Sequence, residues 1–250
     1  MGGLLIPRTR LAIASYAGGA AYSAQVLATR AGNLIGYWPL WEASGSTADD
    51  QSSQENDGSY TGVTLGQSGI GDGRTCPYFD GANDYVDLYS AGFLADFNGN
   101  EGSLMAWWIV NGAAVWTDGS QNDVVLFYVN SSNWLGLYKN SPNNMFTFNR
   151  KANGDQRRLD YTMSDLGWNH TAMTWSDSGN QLIRYLNGSQ VDVVETTVET
   201  WSGSPDSKYC AIGAQNVGGG CDEPWHGKIA HVALWNTPLS ASEVAALAVV

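Results

Sequence analysis

Trp168-Asn-His-Thr-Ala-Met-Thr-Trp175 and Gln181-Leu-Ile-Arg-Tyr-Leu186 decide the fold of this chain. Polar and apolar side chains alternate along the first segment, which is typical of a β-strand because successive side chains point to opposite faces. Asp177-Ser-Gly-Asn180 lies between the two segments and supplies turn-forming residues, so the segments are predicted to pair as an antiparallel hairpin. Asn187-Gly188 follows at once and is a strong hairpin signal, since both residues tolerate positive φ.

Similar strand patterns extend along the chain on both sides of this hairpin. Residues 103–110 and 123–129 are largely apolar, as expected of central strands buried on both faces. Further strands are predicted at residues 34–41, 76–80, 85–89, 134–138, 144–148, 208–213 and 227–235. Helices do not alternate with these strands, which favours an all-β fold, a two-sheet antiparallel jelly-roll sandwich.

The periodicity changes near the C-terminus. Ser240 is suited to cap a helix, and Glu243 lies three residues further on, as in a capping box. Val244 and Leu247 would then face the body of the domain. We therefore expect one short C-terminal helix over residues 241–248.

Composition and charge exclude several classes of partner. The 250 residues carry 24 Asp and Glu against 12 Lys and Arg, a formal net charge of −12. Nucleic acid is not expected as a partner, because phosphate binding needs a basic surface. No stretch approaches the ~18 apolar residues of a membrane span, so none is predicted. The odd number of cysteines argues against a disulfide framework, although Cys210 and Cys221 could close a short loop.

The N-terminal residues 1–33 differ from the rest of the chain. They contain three arginines and no acidic residue, and residues 22–31 fit a short helix with Val26 and Leu27 facing inward. Such an arm needs a surface to dock on, either the same sandwich or a neighbouring subunit. We therefore divide the chain into a docking and assembly arm, residues 1–33, and a jelly-roll domain, residues 34–250.

Several segments together resemble one family. Ile35-Gly-Tyr-Trp-Pro-Leu-Trp-Glu42, Phe79-Asp-Gly-Ala-Asn-Asp-Tyr-Val86 and Gly167-Trp-Asn-His-Thr-Ala-Met-Thr-Trp175 resemble signature segments of laminin-G-like domains in their order and spacing. The resemblance extends over about residues 35–248 and implies the concanavalin A-like jelly-roll fold.

The lead-in to the domain and two departures from the family bear on function. Tyr22-Ser-Ala-Gln-Val-Leu-Ala28 is similar to the lead-in of laminin-G-like proteins of tailed bacteriophages, where such domains occur on virions. Ala230-His231 stands where family members often carry an acidic pair, and the stretch from Glu195 to Asp206 is long. The departures weaken a direct transfer of the family's ligand site.

The family often binds calcium, and two loops offer the oxygen ligands that a hard cation needs. One loop holds Asp50, Asn56 and Asp57, and the other holds Asp80 and Asp84. We take these five residues as a candidate site for Ca²⁺. The alternative is that they only form turns and cap backbone amides.

A glycan site needs exposed aromatic faces beside amides and carboxylates. The loops offer Trp116, Trp134, Trp201 and Trp225, which we take as candidate carbohydrate-binding residues. The alternative is that most tryptophans fill the core. Three tryptophans in strand patterns are expected there: Trp107, Trp175 and Trp235.

The sequence offers no catalytic constellation. Retaining glycosidases need two carboxylates ~5 Å apart. Glucanases of this fold carry them on one strand as Glu-x-Asp-x-Glu, and no such run occurs here. His170 and His231 lie in strand patterns, where packing or a hydrogen bond is the expected role. We predict that the protein is not an enzyme.

These observations favour a non-catalytic structural or binding module. We predict a virion protein, such as a phage capsid decoration or tail protein, or a surface assembly protein. Its residues 1–33 would dock on neighbouring subunits of an oligomeric assembly, with glycans as a further partner. The expected location is the virion or the extracellular surface. The alternative is a calcium-dependent, lectin-like carbohydrate-binding module of a secreted or cell-surface protein.

Overall fold

The strands form two antiparallel sheets of eight strands each in the computed structural model, which describes residues 21–141, 144–215 and 220–250. The strands are β1 (Leu34–Trp38), β2 (Thr47–Ala48), β3 (Gly58–Thr61), β4 (Thr64–Ser68), β5 (Thr75–Asp80), β6 (Tyr85–Asp87), β7 (Glu101–Val110), β8 (Asn122–Asn130), β9 (Asn133–Asn140), β10 (Met145–Ala152), β11 (Asp155–Thr162), β12 (Asn169–Ser176), β13 (Gln181–Leu186), β14 (Ser189–Gln190), β15 (Cys210–Ile212) and β16 (His226–Trp235). The helices are α1 (residues 21–28), α2 (Ala91–Asp96) and α3 (Ala241–Leu247), with 3₁₀ turns at Ala31–Asn33 and Ala113–Thr117. The predicted all-β sandwich with a short C-terminal helix is confirmed.

The long strand β16 organises the first sheet, called sheet I. Sheet I has the order β14-β13-β12-β7-β16-β5-β4. Along one edge β16 pairs with β7, and along the other it pairs first with β5 and then with β1. The second sheet, called sheet II, has the order β11-β10-β9-β8-β15-β6-β3-β2. The hairpin predicted from the sequence is confirmed as β12 and β13.

The period-two alternation of β7 shows how the two sheets enclose the core. Leu104 and Trp108 face sheet II and belong to the main hydrophobic cluster between the sheets. The ring of Trp108 stacks on Phe146 of sheet II, with centroids 4.4 Å apart. Met105 and Trp107 point the other way, into a second cluster on the outer face of sheet I. A strand buried on both faces therefore lies at the centre of sheet I, as its apolar sequence predicts.

Helices α1 and α3 cover this outer face of sheet I. Val26 is fully buried, and the indole Nε1 of Trp107 donates to the hydroxyl of Tyr22 at 2.7 Å. The same hydroxyl donates to the carbonyl of Leu247 at 2.8 Å and so connects α1 to α3. The predicted N-terminal helix is confirmed over residues 21–28, where it packs on the sandwich of its own chain. Residues 1–20 lie outside the described residues, and the boundary between arm and domain stays a prediction.

The C-terminal helix begins as predicted. The Ser240 hydroxyl accepts from the backbone N–H of Glu243, and the Glu243 carboxylate accepts from the backbone N–H of Ser240, which completes a capping box. Val244 and Leu247 are fully buried against sheet I.

Both strand histidines have structural roles. His231 lies at a bulge in β16 with φ 50°, and its Nδ1 lies 2.7 Å from the Tyr37 hydroxyl. Its Nε2 lies 3.2 Å from the buried Asp72 carboxylate. His170 is fully buried beside Trp107, with ring centroids 5.3 Å apart. The predicted packing and hydrogen-bonding roles are confirmed.

Some elements are not apparent in the sequence. In β11 the core-facing positions include Leu159 and Tyr161, while the outward positions are polar and exposed, as at an edge strand. Helix α2 is only six residues long and is capped by Ser90, whose side chain accepts from the backbone N–H of Phe93. β11 has too few apolar residues, and α2 is too short, for a period to be recognised in the sequence.

Two further expectations from the sequence concern a disulfide and a membrane span. Cys76, Cys210 and Cys221 are all free, so Cys210 and Cys221 form no disulfide here. Among the described residues, no helix combines the length and apolar character that crossing a membrane requires.

Candidate functional site

The outer face of sheet II carries a strip of aromatic side chains. In β9, Leu135 and Leu137 point into the core, so Trp134 and Tyr138 point outward. The centroids of the Trp134 and Tyr138 rings lie 6.3 Å apart. Tyr128, opposite Trp134 on β8, extends the strip. Alternation along one strand therefore brings aromatic rings together on an outward face.

Gly136 leaves a gap between the two rings of β9. It lies between Trp134 and Tyr138 on the outward face and pairs with Asn149 of β10. A Cβ atom at position 136 would lie 3.1 Å from Cδ1 of Leu126 and 3.8 Å from Cδ1 of Tyr138. The neighbouring groups close in on this gap, so Gly136 and the adjacent Asn149 are both buried.

Asn149 supplies an amide below this gap. Its Nδ2 donates to the Tyr138 hydroxyl at 3.0 Å, while its Oδ1 is buried and has no hydrogen-bond partner within the described part of the chain. Burial raises the pKa of Tyr138 to about 12, so the phenol keeps its proton, and that proton is free to donate. A buried acceptor without a partner is unusual in proteins and calls for an explanation.

An ion pair borders the gap on β11. The Nε of Arg158 donates to Asp160 at 2.7 Å, and the Thr147 hydroxyl donates to the same carboxylate oxygen at 2.6 Å. Burial acts to raise the pKa of Asp160, but these two hydrogen bonds outweigh it and hold the pKa below its ordinary value. Arg158 pairs with Asn149 across the strands. We call the surface formed by Trp134, Gly136, Tyr138, Asn149 and Arg158 the Trp134 face.

Of the four candidate tryptophans, the structure leaves only Trp134 partly exposed. The expectation that the others offer exposed faces was wrong: Trp116, Trp201 and Trp225 are buried, with relative exposures of 1%, 4% and 0%. Their loops fold over the ends of the sandwich and deliver the rings into the core. A sugar has no aromatic face to pack on at these three positions.

The packing of the three buried rings shows why they are enclosed. The rings of Trp116 and Trp225 lie 6.0 Å and 5.5 Å from that of Trp108 in the main core. Trp201 packs on Phe97 with centroids 5.8 Å apart. The three tryptophans predicted to be core residues, in contrast, are confirmed there: Trp107, Trp175 and Trp235.

The first candidate metal loop is stabilised by internal hydrogen bonds. Asp50 accepts from the backbone N–H groups of Tyr37, Ser52 and Asn56 and from the hydroxyl of Ser52. Asp57 accepts from the backbone N–H of Asp50 at 2.8 Å. The side chain of Asn56 donates to a backbone carbonyl and to another carboxylate. These groups shape the loop around β1.

The second candidate metal loop is organised in the same way. Asp84 accepts from the backbone N–H of Asp80, and Asp80 accepts from that of Ala82. Throughout the described ranges, no group of three or more His, Cys, Asp or Glu side chains is arranged to hold a metal ion. Turn and cap hydrogen bonds thus engage both carboxylate oxygens of Asp50 and one oxygen each of Asp57, Asp80 and Asp84, and calcium binding by these loops stays a prediction.

One buried carboxylate has a strongly perturbed pKa. Burial raises the pKa of Asp123 to about 8, and one oxygen accepts from Gln121 at 2.9 Å. Perturbed carboxylates often mark catalytic sites. However, Asp123 is only 1% exposed, so a substrate has no path to it in this structure.

A laminin G family model, described as the concanavalin A-like lectin/glucanases superfamily, matches residues 79–245, from β5 into α3. The chain belongs to this family. The match confirms the laminin G resemblance found in the sequence, whereas the phage setting stays a prediction. No curated protein matches this laminin G-like chain.

Several solved structures share the fold of this laminin G-like domain. Domain 4 of AbnA, an extracellular arabinanase of Geobacillus stearothermophilus solved with arabinotriose, has 14% identity and a TM-score of 0.64, covering 87% of this chain and 98% of that one. The sialidase module CBM40 of Ruminococcus gnavus, solved with α2,3-sialyllactose, has 14% identity and a TM-score of 0.55, covering 68% and 95%. The binding domain of botulinum neurotoxin serotype D has 12% identity and a TM-score of 0.61, covering 87% and 52%. Identities this low establish the shared fold alone.

The sequence analysis identified one residue of the Trp134 face and missed the others. The signal for Tyr138 is the alternation Trp134-Leu-Gly-Leu-Tyr138, which places both rings on one side. Asn149 and Arg158 join them only through the register of β9, β10 and β11. That register depends on two turns whose exact lengths the sequence does not specify.

Proposed function

We propose that this laminin G-like domain is a non-catalytic carbohydrate-binding module, and that the Trp134 face is its binding surface. The carrying observation is the partly exposed ring of Trp134 on the outer face of sheet II, which lies on the buried ring of Tyr138 and close to the exposed Arg158. The extracellular surface is the location that fits such a module.

The chemistry of a sugar ring matches this surface. The C–H face of a pyranose or furanose packs on an aromatic ring, here Trp134, and its hydroxyls hydrogen-bond to fixed polar groups at the edge. Asn149 and Tyr138 are 0% and 3% exposed, so they would support this surface from beneath rather than contact the sugar. The outward N–H groups of Arg158 would add donors beside them.

Titration calorimetry on the full chain tests this proposal with a panel of oligosaccharides that includes arabinotriose and α2,3-sialyllactose. A sugar that binds is then titrated into Trp134→Ala, which we expect to lose about tenfold or more in affinity, as central aromatic contacts do. Trp41→Ala is the matched control, because Trp41 is a half-buried tryptophan that stacks on Arg74 beside sheet I. Failure of every sugar to bind, or equal losses in both variants, would contradict the proposal.

The same titration decides whether binding depends on calcium. Repeating it with EDTA and with added Ca²⁺ separates a calcium-dependent lectin from a metal-independent module. The hydrogen-bonded state of Asp50 and Asp84 supports the metal-independent form, so we expect the affinity to be unchanged.

A role in a virion or surface assembly is a second proposal, and the packing of α1 defines its test. Residues 21–28 cover sheet I, so an arm that docks on a neighbouring subunit would use residues 1–20. Deleting residues 1–20 spares this cover, whereas deleting residues 1–33 removes it. The assembly proposal predicts that the shorter deletion shifts the full chain to a smaller species in size-exclusion chromatography. An unchanged elution volume, from a chain that is already monomeric, would contradict it.

A further inference from the structure

Helices α1 and α3 cover only part of the outer face of sheet I, and a groove lies at the uncovered end. Met105 and Trp107 lie under the helices, whereas Ile109, further along β7, faces the groove. Two adjoining depressions of about 350 and 270 Å³ share Asn111 and Gly112 and together form this groove. We call it the Lys228 groove.

The floor of the groove is a row of three side chains on neighbouring strands. Lys228 of β16 pairs with Tyr78 of β5 on one side and with Ile109 of β7 on the other, so all three point outward together. Leu166, which is 50% exposed, forms one wall. At position 227 a Cβ atom would lie 2.0 Å from the carbonyl oxygen of Ile109, so only glycine fits the floor there. A cation thus sits between an aromatic and an aliphatic surface.

The ammonium of Lys228 is held in place without a counterion. Its Nζ donates to the backbone carbonyl and to the hydroxyl of Ser68, each at 3.1 Å. No carboxylate oxygen of the described residues lies within 4 Å of it, and the residues outside the described ranges contain no Asp or Glu. Six other basic side chains are ion-paired, as expected in a chain with twice as many acids as bases: Arg30, Lys139, Arg150, Arg157, Arg158 and Arg184.

Hydrogen-bonding side chains lie next to this cation. His226 Nε2 lies 2.8 Å from the amide nitrogen of Asn111 and 3.2 Å from the Tyr78 hydroxyl. Asn111 is an exposed residue at the edge of the groove. The groove therefore combines one unpaired positive charge, ring-sized apolar walls, and fixed hydrogen-bonding groups, which are the features of a ligand site.

We propose that the Lys228 groove binds a sugar residue that carries a carboxylate. The carboxylate would pair with Lys228, the ring would pack between Tyr78 and Leu166, and hydroxyls would bond to Asn111 and His226. A cation held by two neutral oxygens keeps an N–H free for an anion, and a charge-assisted hydrogen bond is stronger than a neutral one. This site lies on the sheet opposite the Trp134 face and does not depend on that face binding sugar.

The test uses trigalacturonate and its methyl ester, which has the same rings without the charge. Calorimetry on the full chain is expected to show binding of the acid that weakens about tenfold or more on esterification, the loss typical of a charged hydrogen bond. Lys228→Met keeps the apolar stem and should cause a similar loss, whereas Lys228→Arg should largely retain binding. Lys151→Met is the matched control, since Lys151 is a half-buried lysine paired with Trp134 on sheet II.

Each other outcome overturns the groove proposal in a distinguishable way. Equal binding of acid and ester shows that no cation selects the ligand. Loss in Lys151→Met but not in Lys228→Met places the acidic sugar on the Trp134 face, which leaves the proposed carbohydrate-binding function intact. Unchanged thermal unfolding of each variant confirms that the comparison is made between folded proteins.

Discussion

The outer faces of the two sheets have opposite surroundings although both follow the same strand alternation. On sheet I the outward side chains include Met105, Trp107 and Ala230, and α1 and α3 pack over them. On sheet II the outward side chains include Trp134 and Asn149, and the main strand contacts of α2 and α3 are with β1 and β14 rather than with β9 or β10. One face is a second hydrophobic core, and the other is a mixed aromatic and polar surface.

This difference shows that the outward-facing residues of the strands determine whether a face of the sheet is covered by other elements or can contact a ligand. An apolar face gains ~25 cal/mol per Å² when it is covered, so it recruits a third layer. A face of aromatic rings and hydrogen-bonding groups gains less from cover and can offer both kinds of contact to a ligand. The predictions below challenge this contrast, from the largest expected effect to the smallest.

Replacing a tryptophan by alanine should lower the free energy of unfolding by very different amounts on the outer faces of the two sheets. Trp107 is 8% exposed under α1, so Trp107→Ala should lower the free energy of unfolding by about 3–5 kcal/mol, through lost burial and the cavity left behind. Trp134 is only partly buried, and Trp134→Ala should cost about 1 kcal/mol. Urea denaturation of both variants measures the two losses, and equal losses would show that both faces are cores.

The sequence predicts much of the difference between the outer faces of sheets I and II. The alternation along β7, β12 and β16 predicts the strands, and Ser240 with Glu243 predicts the helix that covers sheet I. Val26 and Leu27 were predicted to face inward, and Val26 is fully buried. These features rest on local periodicity and capping, which act within a few residues and are therefore written in the sequence.

The ligand surfaces were largely hidden from the sequence. Outside regular strands, no periodic pattern predicts the direction in which a side chain points. This applies to Trp116, Trp201 and Trp225, whose rings are all buried by tertiary packing. The Trp134 face and the Lys228 groove both arise from side chains on three neighbouring strands. Cross-strand register, rather than any one segment, brings these groups together.

His170 should make the cover of sheet I sensitive to acid. Burial lowers its pKa to about 3, below the ordinary value of ~6.5 that it regains on unfolding. The unfolded chain then takes up the proton first, so this contribution to stability is fully present above pH ~6.5 and is lost as pH falls below it, by ~1.4 kcal/mol per unit. Urea denaturation between pH 7 and 5 should show this slope in the native chain and a flatter one in His170→Leu.

Asp123 of sheet II provides the control of opposite sign. Its pKa is raised to about 8 by burial, so its contribution is present in acid and is lost as pH rises from its unfolded value of ~3.9 towards the folded value. Asp123→Asn should therefore make stability fall more steeply on acidification, while His170→Leu makes it fall less. The same change in both variants would exclude these two groups as the source of the slope.

The smallest substitution, the addition of one methyl group, tests whether the outer face of sheet II binds a sugar. Gly136→Ala adds one methyl group between Trp134 and Tyr138, 3.1 Å from Cδ1 of Leu126 and 3.2 Å from the carbonyl oxygen of Val125, so these neighbours must shift and stability should fall by about 1–2 kcal/mol. The shift would disturb the packing beneath the Trp134 ring, and the affinity for the panel sugar should fall about tenfold. Gly32→Ala, where a Cβ meets nothing within 4 Å, is the matched control beside sheet I. If Gly136→Ala binds the sugar as the native chain does, the packing between Trp134 and Tyr138 does not support the sugar site on sheet II.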